Sequence, residues 1–197
     1  MKRLITRLAW AGLLAGVAVF ASLAGCSSPD PVLYTVAPVA GPTKAGGPKI
    51  ILVEQVQVAR YLDRSQIVRS SEDYRVDLKS NDWWGEPLSS MLRRIFQEEL
   101  AQRLPQSVVL NESSAVSAVP EATIDLEFQR LDEDSSGQVV LRAQASVSFK
   151  GRKTPVVSSY NFTAPAPTPD VKGEVSGISA AVGKLADALA ATLVSGR

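Results

Sequence analysis

The chain has 197 residues, with 21 Lys and Arg against 20 Asp and Glu, so it offers no strongly basic face for nucleic acid. It has no histidine, which removes Ser-His-Asp triads, Cys-His dyads and almost every zinc site; paired carboxylates or a Ser-Lys arrangement remain open to an enzyme. Its single cysteine, Cys26, leaves no disulfide to stabilise a core.

In chain order, Lys2, Arg3 and Arg7 precede a seventeen-residue apolar run, Leu8 to Ala24, which ends in Leu23-Ala24-Gly25-Cys26. A basic n-region, an apolar h-region and small residues before the cut form a secretory signal peptide. A cysteine directly after Leu-Ala-Gly resembles a bacterial lipobox, whose thiol receives a diacylglycerol and becomes the mature N-terminus. The alternative, a transmembrane helix, would use a run at the lower limit for a span, thinned by Gly12 and Gly16. Two or three acyl chains hold a protein to a bilayer firmly. Ser27 follows the cysteine, where an Asp tends to retain lipoproteins at the inner membrane, so the pattern resembles the outer-membrane default. Removing residues 1–25 leaves 172 residues, enough for one domain, and takes the formal charge from +1 to −2.

Residues 26–48 form the lipidated terminus and a tether: five prolines and three glycines from Pro29 to Pro48 predict extended chain. Within it, Val32 to Val36 is β-prone and predicts a short edge strand that would shorten the reach. The domain proper is expected over 49–197. Ile50 to Val53 predicts a strand covered on both faces, and the parity change to Val56 and Val58 predicts a bulge near Glu54-Gln55. Tyr61 to Arg64 reads as a turn, and Gln66 to Arg69 with Tyr74 to Leu78 as a hairpin.

Trp83 to Leu88 leads into a helix in which Leu88, Met91, Leu92, Ile95, Phe96 and Leu100 recur at helical spacing. Pro87 suits its start, and Pro105 ends it. Glu99 lies near the apolar face without an evident partner. A strand follows over 106–110, then a polar loop over 111–120. Ile124, Leu126 and Phe128 alternate with polar residues, as do Leu141 to Phe149, and Val156 to Thr163 completes a meander. Asp132 to Gly137 reads as a solvated hairpin tip without the ligand spacing of a calcium loop. Asp170 caps a helix expected over 174–194, its stripe being Ile178, Val182, Leu185, Leu189 and Leu193. These elements predict an α+β two-layer sandwich, a mainly antiparallel sheet of about seven strands covered by two main helices.

The order resembles a known family. A lipobox precedes Leu33-Tyr34-Thr35-Val36; a strand runs into Tyr61-Leu62-Asp63-Arg64 and Ile67-Val68; Trp84-Gly85-Glu86-Pro87-Leu88 opens a helix; a meander and an alanine-rich helix follow. This is similar to the ABC-type transport auxiliary lipoproteins, the PqiC/YmbA-like family, over roughly residues 31–195. One departure is Gly85, where the family often has Ala. The resemblance implies a non-enzymatic periplasmic subunit that docks an MCE-domain lipid conduit to the outer membrane. Through the conduit it would meet an inner-membrane permease, and it could do so as a homo-oligomer. No cofactor is implied.

Candidate partner contacts are Trp83 and Trp84, since tryptophan is enriched at binding hot spots, and Tyr61, Asp63 and Arg64 on a loop. Against these stand helix packing for a tryptophan and a salt bridge internal to the turn for Asp63 and Arg64. No Ser-x-x-Lys and no phosphate loop occurs. The second functional class is a stand-alone carrier of a lipid or other hydrophobic ligand, which would need an apolar cavity of several hundred Å³.

Overall fold

The computed structural model describes residues 29–112 and 118–196. The signal peptide, the lipobox with Cys26, and Ser27 lie outside the described residues. The compact unit spans Pro31–Arg197.

Among the described residues, eight strands and two helices follow one another as β1 (Val32–Tyr34), β2 (Ile50–Val58), β3 (Gln66–Ser70), β4 (Asp77–Trp84), α1 (Leu88–Arg103), β5 (Val108–Asn111), β6 (Ala122–Glu133), β7 (Gln138–Phe149), β8 (Val156–Pro165) and α2 (Val171–Ser195). They form a five-stranded sheet, β5-β2-β6-β7-β8, and a three-stranded sheet, β1-β4-β3. The single, mainly antiparallel sheet expected from sequence is thus two mixed sheets. β2 pairs in parallel with both β5 and β6, and β1 in parallel with β4. Parallel neighbours require crossover connections, and the second sheet with α1 supplies one between β2 and β5.

Ile51 and Val53 are fully buried, whereas Ile50 and Leu52 are half-buried, so β2 is covered on one face rather than both. The predicted bulge is present: the register with β6 slips between Val53 and Gln55 and returns Val56 to the interior. A second slip, between Phe128 and Arg130, does the same for Leu131. The β3–β4 hairpin is displaced from its expected position. Asp73 and Tyr74 take positive φ (54° and 60°) at its tip, and β4 runs on to include both tryptophans.

Every residue of the predicted α1 stripe is buried. In α2 the Asp170 Oδ1 accepts from the Gly173 N–H at 2.9 Å, so the helix starts at Val171, three residues before the expected Glu174. The α2 stripe of Ile178, Val182, Leu185 and Leu189 is fully buried with Leu193. Its small residues allow close approach: a Cβ on Gly177 would stand 2.7 Å from Val139 Cγ2. α2 is apolar and long enough to cross a membrane by composition. Here its stripe packs on β6, β7, β8 and α1 instead.

From Val36 to Lys44 the Pro/Gly-rich segment is bound to the helices. Val36 is buried, and its N–H points at Met91 Sδ (3.1 Å) on α1. The Ala37 N–H donates to Ser179 Oγ on α2 (3.1 Å), the Val39 N–H to Glu99 Oε1 (2.8 Å), and the Lys44 N–H to the Arg103 carbonyl (2.7 Å). Residues 36–46 thus form a strap across both helices.

Candidate partner-docking site

The five residues singled out for partner contact separate into three that converge and two that do not. Trp84 ends β4, where its N–H donates to the Ser65 carbonyl (2.7 Å), and the Gly85 N–H donates to the Tyr34 carbonyl (2.8 Å). The first bond draws the 62–65 turn and the 85–87 loop together, and the second ties that loop to β1. Asp63, Arg64, Ser65, Trp84, Glu86 and Pro87 then line an open concavity of about 360 Å³. Asp63 and Arg64 are exposed on its rim, and among the described residues neither makes an ion pair, so the predicted internal salt bridge of the turn is absent. Trp84 forms the floor, 7% exposed and part of the core. Glu86 is held by Arg94 Nη2 at 2.7 Å, and Arg94 also reaches Glu98 (3.4 Å). The bond to Glu86 raises the Arg94 guanidinium above its ordinary pKa. The concavity therefore joins an apolar floor to two free charges of opposite sign.

Trp83 and Tyr61 lie elsewhere. Strand alternation places Trp83 on the opposite face of β4 from Trp84, level with exposed Leu33; it is half-buried and its indole N–H donates to the Ser80 carbonyl (3.2 Å). Tyr61 belongs to an interior network. Its hydroxyl donates to Asp132 Oδ2 (2.8 Å), which also accepts from Ser71 Oγ (2.6 Å), while Arg130 Nε holds Asp132 Oδ1 (2.7 Å). Burial first, then the Asp132 charge, push the Tyr61 hydroxyl up to about 12. Asp132 and Glu133 are accordingly not a solvated tip: both are buried at the end of β6, and the turn begins at Asp134.

Sequence reasoning missed Glu86 and Pro87 as rim residues. The one available signal was the Glu-Pro that opens α1. It also missed Glu174, which is fully buried on α2 with neither oxygen meeting a donor among the described residues. Burial first, then the Glu133 charge, raise its carboxyl to about 8, against the pull of Arg69 and Lys79. Among the described residues no cluster of three His, Cys, Asp or Glu is placed to hold a metal ion.

The model of a family described as ABC-type transport auxiliary lipoprotein component matches residues 32–190. The intermembrane transport lipoproteins PqiC of Escherichia coli K12 and of Shigella flexneri are each 26% identical over 135 residues, 66% of this chain and 71% of theirs. A crystal structure of an uncharacterized protein superposes with a TM-score of 0.70 at 17% identity, covering 83% of this chain and 98% of its own. That of protein XCC0632 from Xanthomonas campestris gives 0.68 at 14%, covering 84% and 96%. These two show a shared fold.

Proposed function

Because the chain belongs to the ABC-type transport auxiliary lipoprotein family, a family of transport components and not of enzymes, we propose that it is the outer-membrane-anchored periplasmic subunit of an MCE-type lipid transport system. In this reading Cys26 is acylated and becomes the mature terminus. The domain docks the MCE conduit, and through it an inner-membrane permease, and supports envelope integrity by contact alone. Several copies would surround a symmetric conduit.

The observation that carries the reading is the family match across residues 32–190. The name of the PqiC relatives, intermembrane transport lipoprotein, points the same way. The Asp63, Arg64 and Trp84 concavity is the surface we assign to the conduit, because it pairs a buried aromatic with free charges on a loop. The carrier alternative draws no support from the packing. The sheet face that would have to open is filled by Leu92, Ile95, Phe96, Ile178, Val182 and Leu185, all fully buried.

The test is co-purification from detergent-solubilised membranes of the wild-type chain and an Asp63→Arg, Arg64→Glu double variant. The wild type should bring down an MCE-domain protein, and the variant much less, with an unchanged melting temperature because both side chains are exposed. Recovery of the wild type without any MCE protein, under conditions that preserve other envelope complexes, would overturn the reading.

A further inference from the structure

We infer that the end of the five-stranded sheet around the β7–β8 turn binds a phosphate group, carried by a lipid headgroup or by a free phosphate ester.

The register of the sheet brings four cations to that end. Ile51 of β2 pairs with Ala122 of β6, Ala122 pairs with Phe149 of β7, and Val147 pairs with Val156 of β8. Lys49, Lys150, Arg152 and Lys153 lie within a few residues beyond these pairs, so positions remote in the chain meet at one edge. All four are exposed, and among the described residues none makes an ion pair. Glu121 is the acid between them, and its Oε2 already accepts from the Lys49 N–H at 2.8 Å. After residue 25 the chain has a formal charge of −2, so four cations against one acid is a separation of charge that composition averages away.

Between the cations lies an open concavity of about 440 Å³, with Pro48, Phe149, Lys150, Arg152 and Gly196 in its lining. The backbone sets its shape. Gly151 takes a φ of 87°, a left-handed value that favours glycine, and the Arg152 N–H donates to the Phe149 carbonyl (3.0 Å) to close the turn. At the end of α2, Gly196 passes so close to Phe149 that a Cβ there would run into the ring. The Arg152 guanidinium lies over that same ring, 5.5 Å from its centroid, which positions the fork before any ligand arrives.

Phosphate is the anion that this set fits. Its several strongly accepting oxygens can take the planar fork of Arg152 and the point charge of Lys150 at once. Lys49 and Lys153 add attraction that salt screens over about 8 Å. A lone carboxylate would leave most of these cations unused. Pro48 and Phe149 give the esterified carbon of the ligand an apolar wall, and the concavity has the size of a small-molecule site. It shares no lining residue with the Asp63, Arg64 and Trp84 concavity, so the inference stands whether or not that surface meets a conduit.

The test is calorimetric titration of the full chain in a maltoside detergent, which carries no phosphate. The probes are glycerol phosphate, glycerophosphoglycerol, and phosphatidylglycerol in mixed micelles. The expected result is saturable binding that weakens as salt is raised, and that is about fivefold or more weaker in Lys150→Ala and in Arg152→Ala. Lys172→Ala, at the other end of α2, should bind as wild type does. Lys150 and Arg152 are exposed, so both variants should keep the wild-type melting temperature. Equal affinity for the soluble esters and the lipid would identify a free phosphate ester as the ligand, whereas far tighter binding of the lipid would identify a headgroup; either supports the site. Absence of saturable binding with all three probes, or binding that Lys150→Ala and Arg152→Ala leave unchanged, would overturn it. So would a glutamate-rich peptide that binds more tightly and displaces the phosphate compounds, because this end would then serve an acidic protein.

Discussion

Glu174 has a carboxyl drawn out of water and, among the described residues, given no hydrogen-bond donor, with Glu133 and Asp132 raising its proton affinity and Arg69 and Lys79 opposing them. Its folded-state value of about 8 stands above the ordinary 4.5, so the folded chain keeps a proton that the unfolded chain releases. The stability linked to that proton is fully present below about pH 4.5, falls as pH rises through about 8, and is then gone. Glu174→Gln, which is neutral at every pH, should flatten this alkaline decline. The measurement is the urea midpoint of wild type and variant from about pH 5 to about pH 9; parallel curves would show that the carboxyl is already ionised in the fold. Glu99 is the contrasting case. Burial raises it to about 7, but the Val39 N–H donates to it and Arg103 stands 3.9 Å away. The helical spacing exposed Glu99 as misplaced, yet its partner sits 60 residues upstream in chain that composition marks as tether, so no local pattern could supply it.

Among the elements, the helices and the β6–β7 meander were legible because each buries one face at a fixed period, 3.6 or 2. Asp132 and Glu133 escaped that logic, since their charges are met by Arg130 from within the strand and by Tyr61 and Arg69 from distant positions. The strap escaped it too, because proline and glycine report extension and not what the extension lies against. Arg103 is its main clasp. The guanidinium, 1% exposed, donates to Asp187 Oδ1 (2.6 Å) and to the carbonyls of Val39 (3.0 Å), Glu99 (3.2 Å) and Gly183 (3.0 Å), so one side chain joins α1, α2 and the strap. Gly41 is required beside it, since a Cβ there would stand 2.5 Å from Arg103 Nη2. Arg103→Met takes the cation from fully buried Glu99 and the side-chain donor from the Val39 carbonyl, and breaking a buried ionic cluster on one side costs about 3–5 kcal/mol. The variant should unfold at lower denaturant, and its Val39 and Lys44 amides should exchange with solvent much faster than wild type. Unchanged protection at those two amides would show that the strap holds without its clasp.

For the whole molecule, what sequence could not convey was the pairing of strands. β1 is three residues long and β2 is flanked by strands that lie far from it in the chain, so alternation identifies the strands but not their neighbours. The strap is clasped to both helices and β1 is locked to β4, so in the proposed role an acylated Cys26 would hold the domain through the few residues before Val32. Cys26→Ser removes the thiol that acylation requires. The domain from residue 31 onward makes its own core and should fold unchanged. In the proposed role, firm attachment needs acyl chains in the bilayer. On the proposed anchoring, fractionation should move the variant from the outer-membrane pellet, where the wild type is expected, to the soluble fraction, with its melting temperature preserved. A variant that stays in the pellet after salt washing would mean that protein contacts, and not the lipid, hold the molecule in place.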